Sequence, residues 1–252
     1  MRLVRAGRLR KRWTYVGAFG PDLMLCVGAA QVGPGWQSWW AVWDRAARRL
    51  HERTRVGRRG VLVDPRRARV AGVLDLQVDA GAQVEVVCPN GRAHTWTRKQ
   101  AGVPARGTVM LDGVARPVDL RAVVDESAGY HPRVTVWRWS AGVGTAADGR
   151  AVAWNLVTGI NDPAEGSERA VWIDGAPHEV GPVEFAADLS SVRFAEGGEL
   201  RFAAEAARER DDNLLLFRSR YVQPFGTFSG ALPGGVELAE GYGVMERHEA
   251  RW

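Results

Sequence analysis

Short runs in which apolar and polar residues alternate make up most of this chain, and turn residues separate the runs. Leu74, Leu76 and Val78 alternate with polar residues, which is the period of a strand with one buried face. Pro89-Asn90-Gly91 and Asp174-Gly175 are turn signals that follow such runs. The pattern therefore predicts many short strands joined by tight turns.

Helical periodicity is weak and is confined to two windows, residues 41–53 and residues 202–210, each of which also fits a strand. Many strands at regular spacing favour a sandwich or barrel over a parallel α/β sheet. The predicted fold class is all-β with few short helices, antiparallel and barrel-like.

The charge of the chain changes sign near residue 124. Residues 1–124 contain 22 basic and 9 acidic residues, whereas residues 125–252 contain 12 basic and 20 acidic residues. Asp125 to Pro132 has the composition of a loop. We therefore predict two β-rich halves, residues 1–124 and 125–252, with one continuous domain as the alternative. Arginine is scattered along the chain, so we expect no nucleic-acid partner.

Several classes of protein are disfavoured by the sequence. The longest apolar run, Leu23 to Ala30, is too short for a transmembrane segment, and the basic start has no apolar region of a secretory signal after it. Cys26 and Cys88 are too few for a disulfide framework. Nucleotide-binding, zinc-protease and serine-hydrolase motifs are missing. We therefore predict a cytoplasmic protein with buried thiols, no cofactor and no metal site.

Glu246 and His248 are the strongest candidates for catalysis. They are two positions apart, so on a strand both side chains point to the same face, opposite Arg247. A carboxylate beside an imidazole suits acid–base chemistry, although a solvated terminal edge is equally compatible with this pattern. Trp252 at the carboxyl end favours a packed edge.

Other polar or aromatic residues stand out against apolar surroundings. Asp125 is a third catalytic candidate. A polar residue in a strand more often satisfies backbone groups, and most tryptophans are expected in the core. The ligand-binding candidates are Glu168, Asn155, Gln223, Trp137, Trp139, His131 and Lys99.

Taken together, several segments of the sequence resemble a known family, the bacterial domain of unknown function numbered 2804. The resemblance extends over nearly the whole chain. The segments that carry it are Trp96 to Gln100, Thr135 to Gly142, Ala153 to Leu156, Gly159 to Asp162, Ser167 to Arg169, Trp172 to Gly175, Asn213 to Leu215, Gln223 to Gly230 and Glu246 to Trp252.

This resemblance implies a fold near the lipocalin-like β-barrels, including the group that contains the carotenoid hydratases, and it implies no reaction. The leading hypothesis is a protein that binds a small apolar ligand or lipid in a Trp-rich cavity. The alternative is an acid–base enzyme of the hydratase or isomerase type that acts on an isoprenoid or another lipid. The sequence does not specify the oligomeric state.

Overall fold

The chain folds almost entirely into antiparallel β-strands in a computed structural model that describes residues 2–214 and 217–251. Within these residues the only helical segment is the 3-10 turn Pro233–Gly235. Of the two windows with helical periodicity, residues 202–210 lie within one strand and residues 41–53 form two strands with a turn at residues 45–48, so the prediction of an all-β chain is confirmed. Leu215 and Trp252, which were named above, lie outside the described residues.

The amino-terminal part of the chain forms a short hairpin and a curled sheet of ten strands. The order in this sheet is β6-β5-β4-β3-β12-β11-β9-β8-β7, with β10 paired to β11. The strands are β1 (Val4–Arg5), β2 (Arg8–Leu9), β3 (Lys11–Phe19), β4 (Leu23–Val32), β5 (Gly35–Asp44), β6 (Arg49–Val56), β7 (Val61–Asp64), β8 (Arg67–Val70), β9 (Leu74–Val78), β10 (Gln83–Asn90), β11 (Ala93–Leu111) and β12 (Val114–Gly129).

The carboxyl-terminal part forms a second curled sheet, of nine strands. Its order is β16-β15-β14-β13-β21-β20-β19-β18-β17. The strands are β13 (Val134–Ala146), β14 (Ala151–Thr158), β15 (Ala170–Ile173), β16 (Ala176–Glu179), β17 (Val183–Phe185), β18 (Ser191–Phe194), β19 (Glu199–Leu214), β20 (Phe217–Leu232) and β21 (Val236–Arg251).

Apart from β10, the two sheets have the same strand order. In each, a meander of four strands (β3 to β6, or β13 to β16) is followed along the chain by five strands, the last of which pairs with the first strand of the meander. Thus β12 lies beside β3, and β21 lies beside β13. Each sheet is one half-barrel, and β3, β11 and β12 of the first half correspond to β13, β20 and β21 of the second.

The expected loop from Asp125 to Pro132 is mostly a strand. Strand β12 continues to Gly129, and Asp125 pairs with Tyr15 on one side and Lys99 on the other. The segment resembles a loop in composition because Asp125, Glu126 and Ser127 each have a polar partner in the fold. The division of the chain at residue 124 remains a prediction.

Apolar side chains form three clusters, one inside each half-barrel and one between the two sheets. Strand β3 supplies two of them, because Val16 and Ala18 pack inside the first half-barrel whereas Tyr15 and Phe19 face the second sheet. A strand that is buried on both faces has a nearly continuous apolar sequence. Strand β4 is buried on both faces in the same way, which explains the apolar run that begins at Leu23.

Polar contacts also join the two halves. Arg45 and Glu205 form an ion pair at 2.6 Å, and Trp172 Nε1 donates to the carbonyl of Ala82 at 3.0 Å. Arg121 donates to the carbonyl of Gly144 at 2.7 Å. The sheets are therefore held together by specific contacts as well as by apolar burial. No helix in the described part of the chain is long and apolar enough to cross a membrane.

Candidate functional site

A cavity of about 430 Å³ lies between the two half-barrels. Its volume falls within the range of roughly 300–1,000 Å³ that is typical of small-molecule sites. The wall is mainly apolar and rich in aromatic rings, and both sheets contribute to it. The aromatic residues of the wall are Trp13, Tyr15, Trp36, Trp39, Trp137, Trp139, Tyr221 and His248.

The first sheet contributes one row of residues that runs across five neighbouring strands. Residues that are directly opposite in adjacent strands point to the same face of the sheet, so the register brings this row together. In order, the row is Trp39, Gly28, Tyr15, Asp125 and Lys99.

Gly28 leaves space for the Trp39 side chain within this row. A Cβ atom at this position would lie 2.3 Å from the Trp39 indole and 2.7 Å from its Nε1 atom, so the ring lies directly over the glycine. A larger residue would push the indole away. The glycine therefore allows the Trp39 ring to extend along the sheet toward the neighbouring strand, which carries Tyr15.

Replacing Gly28 by alanine is expected to lower the free energy of unfolding by about 1–3 kcal/mol, because the added methyl overpacks the Trp39 ring. Urea denaturation measures this loss, and near-ultraviolet circular dichroism reports the moved indole. Gly35→Ala is the matched control, since its Cβ would meet no atom closer than 3.5 Å. Equal denaturation midpoints for the two variants would show that the ring does not depend on Gly28.

The second sheet contributes two parallel rows. Glu246 on β21 lies opposite Trp139 on β13, and His248 lies between Trp137 and Tyr221. All five side chains line the cavity. Strand alternation therefore places Glu246 and His248 on one face, as the spacing of two predicts.

The two sheets present corresponding residues at this site. Tyr15 pairs with Asp125 on the last strand of the first half, and Trp139 pairs with Glu246 on the last strand of the second. In each half, the tryptophan two positions before the paired aromatic residue donates to the carboxyl group. Trp13 Nε1 lies 3.1 Å from Asp125, and Trp137 Nε1 lies 2.8 Å from Glu246. The cavity is thus lined by a repeated aromatic–carboxyl unit.

Asp125 belongs to a buried charge cluster with Lys99 and Glu168. The Lys99 ammonium donates to Asp125 and lies 3.2 Å from a Glu168 oxygen. Burial by itself would lower the pKa of Lys99, but the two carboxylates outweigh it and raise that pKa. Burial raises the pKa of Glu168, whose second oxygen accepts from Asn161 Nδ2 at 3.0 Å. Lys99 therefore stays charged between two acids.

Glu246 forms no ion pair among the described residues, although the more distant charge of Arg208 also acts on it. Its two oxygens accept from Trp137 Nε1 and Gln223 Nε2, both at 2.8 Å. Burial raises its pKa from 4.5 to about 7, with a further increase from the charge of Asp125. Glu246 is therefore a carboxyl group that holds a proton at and just below neutral pH.

His248 is not paired with Glu246. Its Nε2 atom is 2.7 Å from the Ser219 hydroxyl, its ring lies 4.2 Å from the Trp137 ring, and burial lowers its pKa to about 3. A neutral imidazole that bonds a hydroxyl group is not oriented by a carboxylate. The carboxylate–imidazole pair that the sequence suggested is therefore absent among the described contacts.

The remaining sequence candidates lie around the cavity rather than on its wall. Asn155 is fully buried, accepts from Trp139 Nε1 and donates to the Glu168 carbonyl, both at 2.9 Å. Gln223 is buried behind Glu246. His131 packs against Trp13 with ring centroids 4.9 Å apart, and burial lowers its pKa to about 3. These side chains position wall residues.

Among the wall residues that were not predicted from the sequence are Tyr15, Trp39, Arg208 and Tyr221. Arg208 is buried and donates to Glu52 at 3.0 Å and to the Tyr221 hydroxyl at 3.2 Å. One signal was available, because the aromatic spacing of Trp137 and Trp139 also occurs at Trp13 and Tyr15. No group of three or more potential metal ligands was found in residues 2–214 and 217–251.

Solved structures with a similar fold were found, whereas no curated protein matched the chain. A candidate AttH protein (NE1406) from Nitrosomonas europaea is 13% identical with a TM-score of 0.57, and the match covers 94% of this chain and 92% of that one. Kievitone hydratase from Nectria haematococca is 12% identical with a TM-score of 0.52, and the match covers 96% and 88%.

At these identities the similarity shows the fold alone. Kievitone hydratase and this chain therefore share a similar β fold. The sequence profile of one family matches residues 51–252, which is most of the chain. The chain therefore belongs to the family described as Domain of unknown function (DUF2804).

Proposed function

We propose that this protein is an acid–base enzyme that adds or removes water, or moves a double bond, on a small and largely apolar molecule bound between the half-barrels. The observation that carries the proposal is a pair of carboxyl groups in corresponding positions with opposite surroundings. Asp125 is paired with the Lys99 cation, whereas Glu246 is bonded only to neutral donors. Two carboxyls in such different environments are suited to acid and base roles.

Glu246 is the proposed general acid. With a pKa of about 7 it is protonated in about half of the molecules at pH 7, and that proton can be delivered to a carbon of a double bond or to a departing hydroxyl group. Asp125, which accepts a hydrogen bond from the Lys99 ammonium, is the proposed base. In hydration it takes a proton from water while the hydroxide oxygen bonds to the second carbon, so one water molecule is added in total.

The wall of the cavity favours an apolar substrate. Trp36, Trp39, Trp137 and Trp139 supply large ring surfaces, and apolar burial is the main driving force for binding such a molecule. A mainly apolar wall also strengthens the electrostatic interactions of a buried carboxyl group. Kievitone hydratase is named for adding water, but its 12% identity leaves the proposal to rest on the residues above.

The second candidate function is storage or transport of an apolar molecule or lipid without chemistry. The aromatic wall favours this function equally, since lipocalin-like barrels of this kind hold one ligand. The two functions differ in what happens to protons. An enzyme that protonates carbon incorporates solvent hydrogen into its ligand, and a carrier does not.

Incubation with geraniol and farnesol in D2O tests the proposal. Mass spectrometry is expected to find deuterium or added water in a probe, and Glu246→Gln and Asp125→Asn are each expected to slow its incorporation by about 100-fold or more. Glu240→Gln, on the same strand but not on the cavity wall, is the control. Probes that bind but remain unlabelled with the native protein would support the carrier function instead.

A further inference from the structure

Two hydrogen-bond donors on the wall of the cavity have no oxygen or nitrogen acceptor in the described part of the chain, although the Cys26 thiol lies beside one of them. They are the Tyr15 hydroxyl and Trp39 Nε1, and both atoms are buried. A buried donor that lacks a partner destabilises a folded protein, so such atoms are few and call for an explanation. The other unpartnered buried side-chain atoms of the described residues belong to His131 and Arg138, which are not on this wall.

Three other indoles on this wall differ from Trp39, because each of them donates to an acceptor in the chain. Trp13 Nε1 donates to Asp125 at 3.1 Å, and Trp139 Nε1 donates to Asn155 at 2.9 Å. Trp137 Nε1 donates to Glu246 at 2.8 Å. The fold therefore supplies an acceptor for three indoles on this wall and none for Trp39.

Tyr15 is in a similar position. It is 4% exposed, and the Cys26 thiol beside it is a weak acceptor that itself points toward Gln223 Oε1, at 3.7 Å. Burial raises the pKa of Tyr15 well above its ordinary value, so the hydroxyl keeps its proton and can donate it in a hydrogen bond.

The two donors belong to one row of the first sheet. Tyr15 and Trp39 both pair with Gly28, from opposite sides. The Trp39 indole lies over Gly28, and its Nε1 atom is on the edge of the ring near that glycine. Only a glycine therefore separates the two residues along the row. This arrangement places the two residues close together on the wall, within reach of one ligand.

We infer that Tyr15 and Trp39 hold an oxygen-bearing group of the ligand, so the ligand is an apolar molecule that carries a hydroxyl or carbonyl oxygen. This inference rests on the part of the proposed function that places a small molecule in the cavity. It adds a requirement that apolar packing alone does not impose, because a hydrocarbon of the same shape would leave both donors unpaired.

Two probes of matched shape test the requirement: 2-acetylnaphthalene, which has an acceptor oxygen, and 2-isopropylnaphthalene, which has none. The native protein is expected to bind the ketone more tightly by isothermal titration calorimetry. Tyr15→Phe keeps the aromatic ring and is expected to weaken ketone binding by about 5- to 10-fold with a much smaller effect on hydrocarbon binding. Trp39→Phe also removes apolar wall and is expected to weaken the binding of both probes, that of the ketone more, so that the ratio of ketone to hydrocarbon affinity falls.

A measurement without ligand accompanies the binding test. Tyr15→Phe is expected to be at least as stable as the native protein in urea, because it removes a hydroxyl group without a partner. Tyr130→Phe is the matched control, since that buried hydroxyl donates to the Arg2 carbonyl at 2.6 Å, and this variant is expected to lose stability.

The inference is overturned if Tyr15→Phe loses as much stability as Tyr130→Phe, or if the ratio of ketone to hydrocarbon affinity is the same in native protein and variant. A native protein that binds neither probe would also overturn the inference. An equal ratio is the result expected if an ordered water alone satisfies the two donors. Failure of the acid–base proposal gives a different result, because Glu246→Gln would then leave deuterium incorporation unchanged while the preference for the ketone remained.

Discussion

Replacing Lys99 by methionine is expected to lower the free energy of unfolding at pH 7 by about 3–5 kcal/mol. Lys99 is 1% exposed, and its ammonium group lies between Asp125 and Glu168, which are also buried. Methionine keeps the volume of the side chain but removes the charge. Two carboxylates are then left close together in a poorly solvated site with no cation to compensate them.

Two further measurements separate this cause from a simple loss of packing. The carboxyls of the Lys99→Met protein recover stability when they are protonated, so the loss is expected to shrink as the pH falls toward about 4. The triple variant with Asp125→Asn and Glu168→Gln is expected to recover much of the stability at pH 7. A loss that is independent of pH and is not reduced in the triple variant would contradict the charge cluster as its cause.

The fold class was predictable because the strand period is visible wherever one face is buried. Leu74, Leu76 and Val78 are buried on one strand, as their alternation predicts. The turn at Asp174-Gly175 joins β15 to β16, and both residues have positive φ, of 48° and 81°. Local signals of this kind require no knowledge of the rest of the chain.

The pairing of the two half-barrels was not predictable, because it depends on contacts far apart in sequence. Tyr15 meets Asp125 across 110 positions, and nothing near either residue specifies that register. The same limit explains the error at Asp125. A polar stretch in a strand has the composition of a loop until its partners, Lys99 and Tyr15, are known.

The candidate site was predicted in part from polar residues in apolar strands. Glu246, His248, Glu168 and Lys99 all line one cavity. Polar residues in such surroundings need partners, and several of these residues find them at the cavity. Tyr15 and Trp39 gave no such signal, because aromatic residues are ordinary members of a β core. Only their unpartnered donor atoms distinguish them, and those are properties of the fold.

Glu246→Gln is expected to be more stable than the native protein above pH 7, although it removes the proposed acid. The folded pKa of Glu246 is about 7 and its ordinary value is 4.5, so between these values the folded state holds a proton that the unfolded state has lost. Native stability from this group therefore falls as the pH rises from about 4.5 to 7. The difference of 2.5 pKa units corresponds to about 3 kcal/mol.

The introduced amide resembles the protonated carboxyl at every pH and keeps an acceptor oxygen for Trp137 Nε1. At pH 4.5 and below, native protein and variant are expected to unfold at similar urea concentrations. At pH 8 the variant is expected to be more stable by up to about 3 kcal/mol. Because all other groups titrate in both proteins, the difference between the two curves isolates Glu246, on which Asp125 and Arg208 also act.

Glu205→Gln supplies a control of opposite sign. Hydrogen bonds from Arg45 lower the pKa of Glu205, so that carboxylate stabilises the folded state above its unfolded pKa and the benefit is lost as the pH falls. Its variant is expected to be less stable than the native protein at pH 7, with the difference fading in acid. If Glu246→Gln behaved in the same way, Glu246 would be an ordinary ionised carboxylate, and the acid–base function would lose its proton donor.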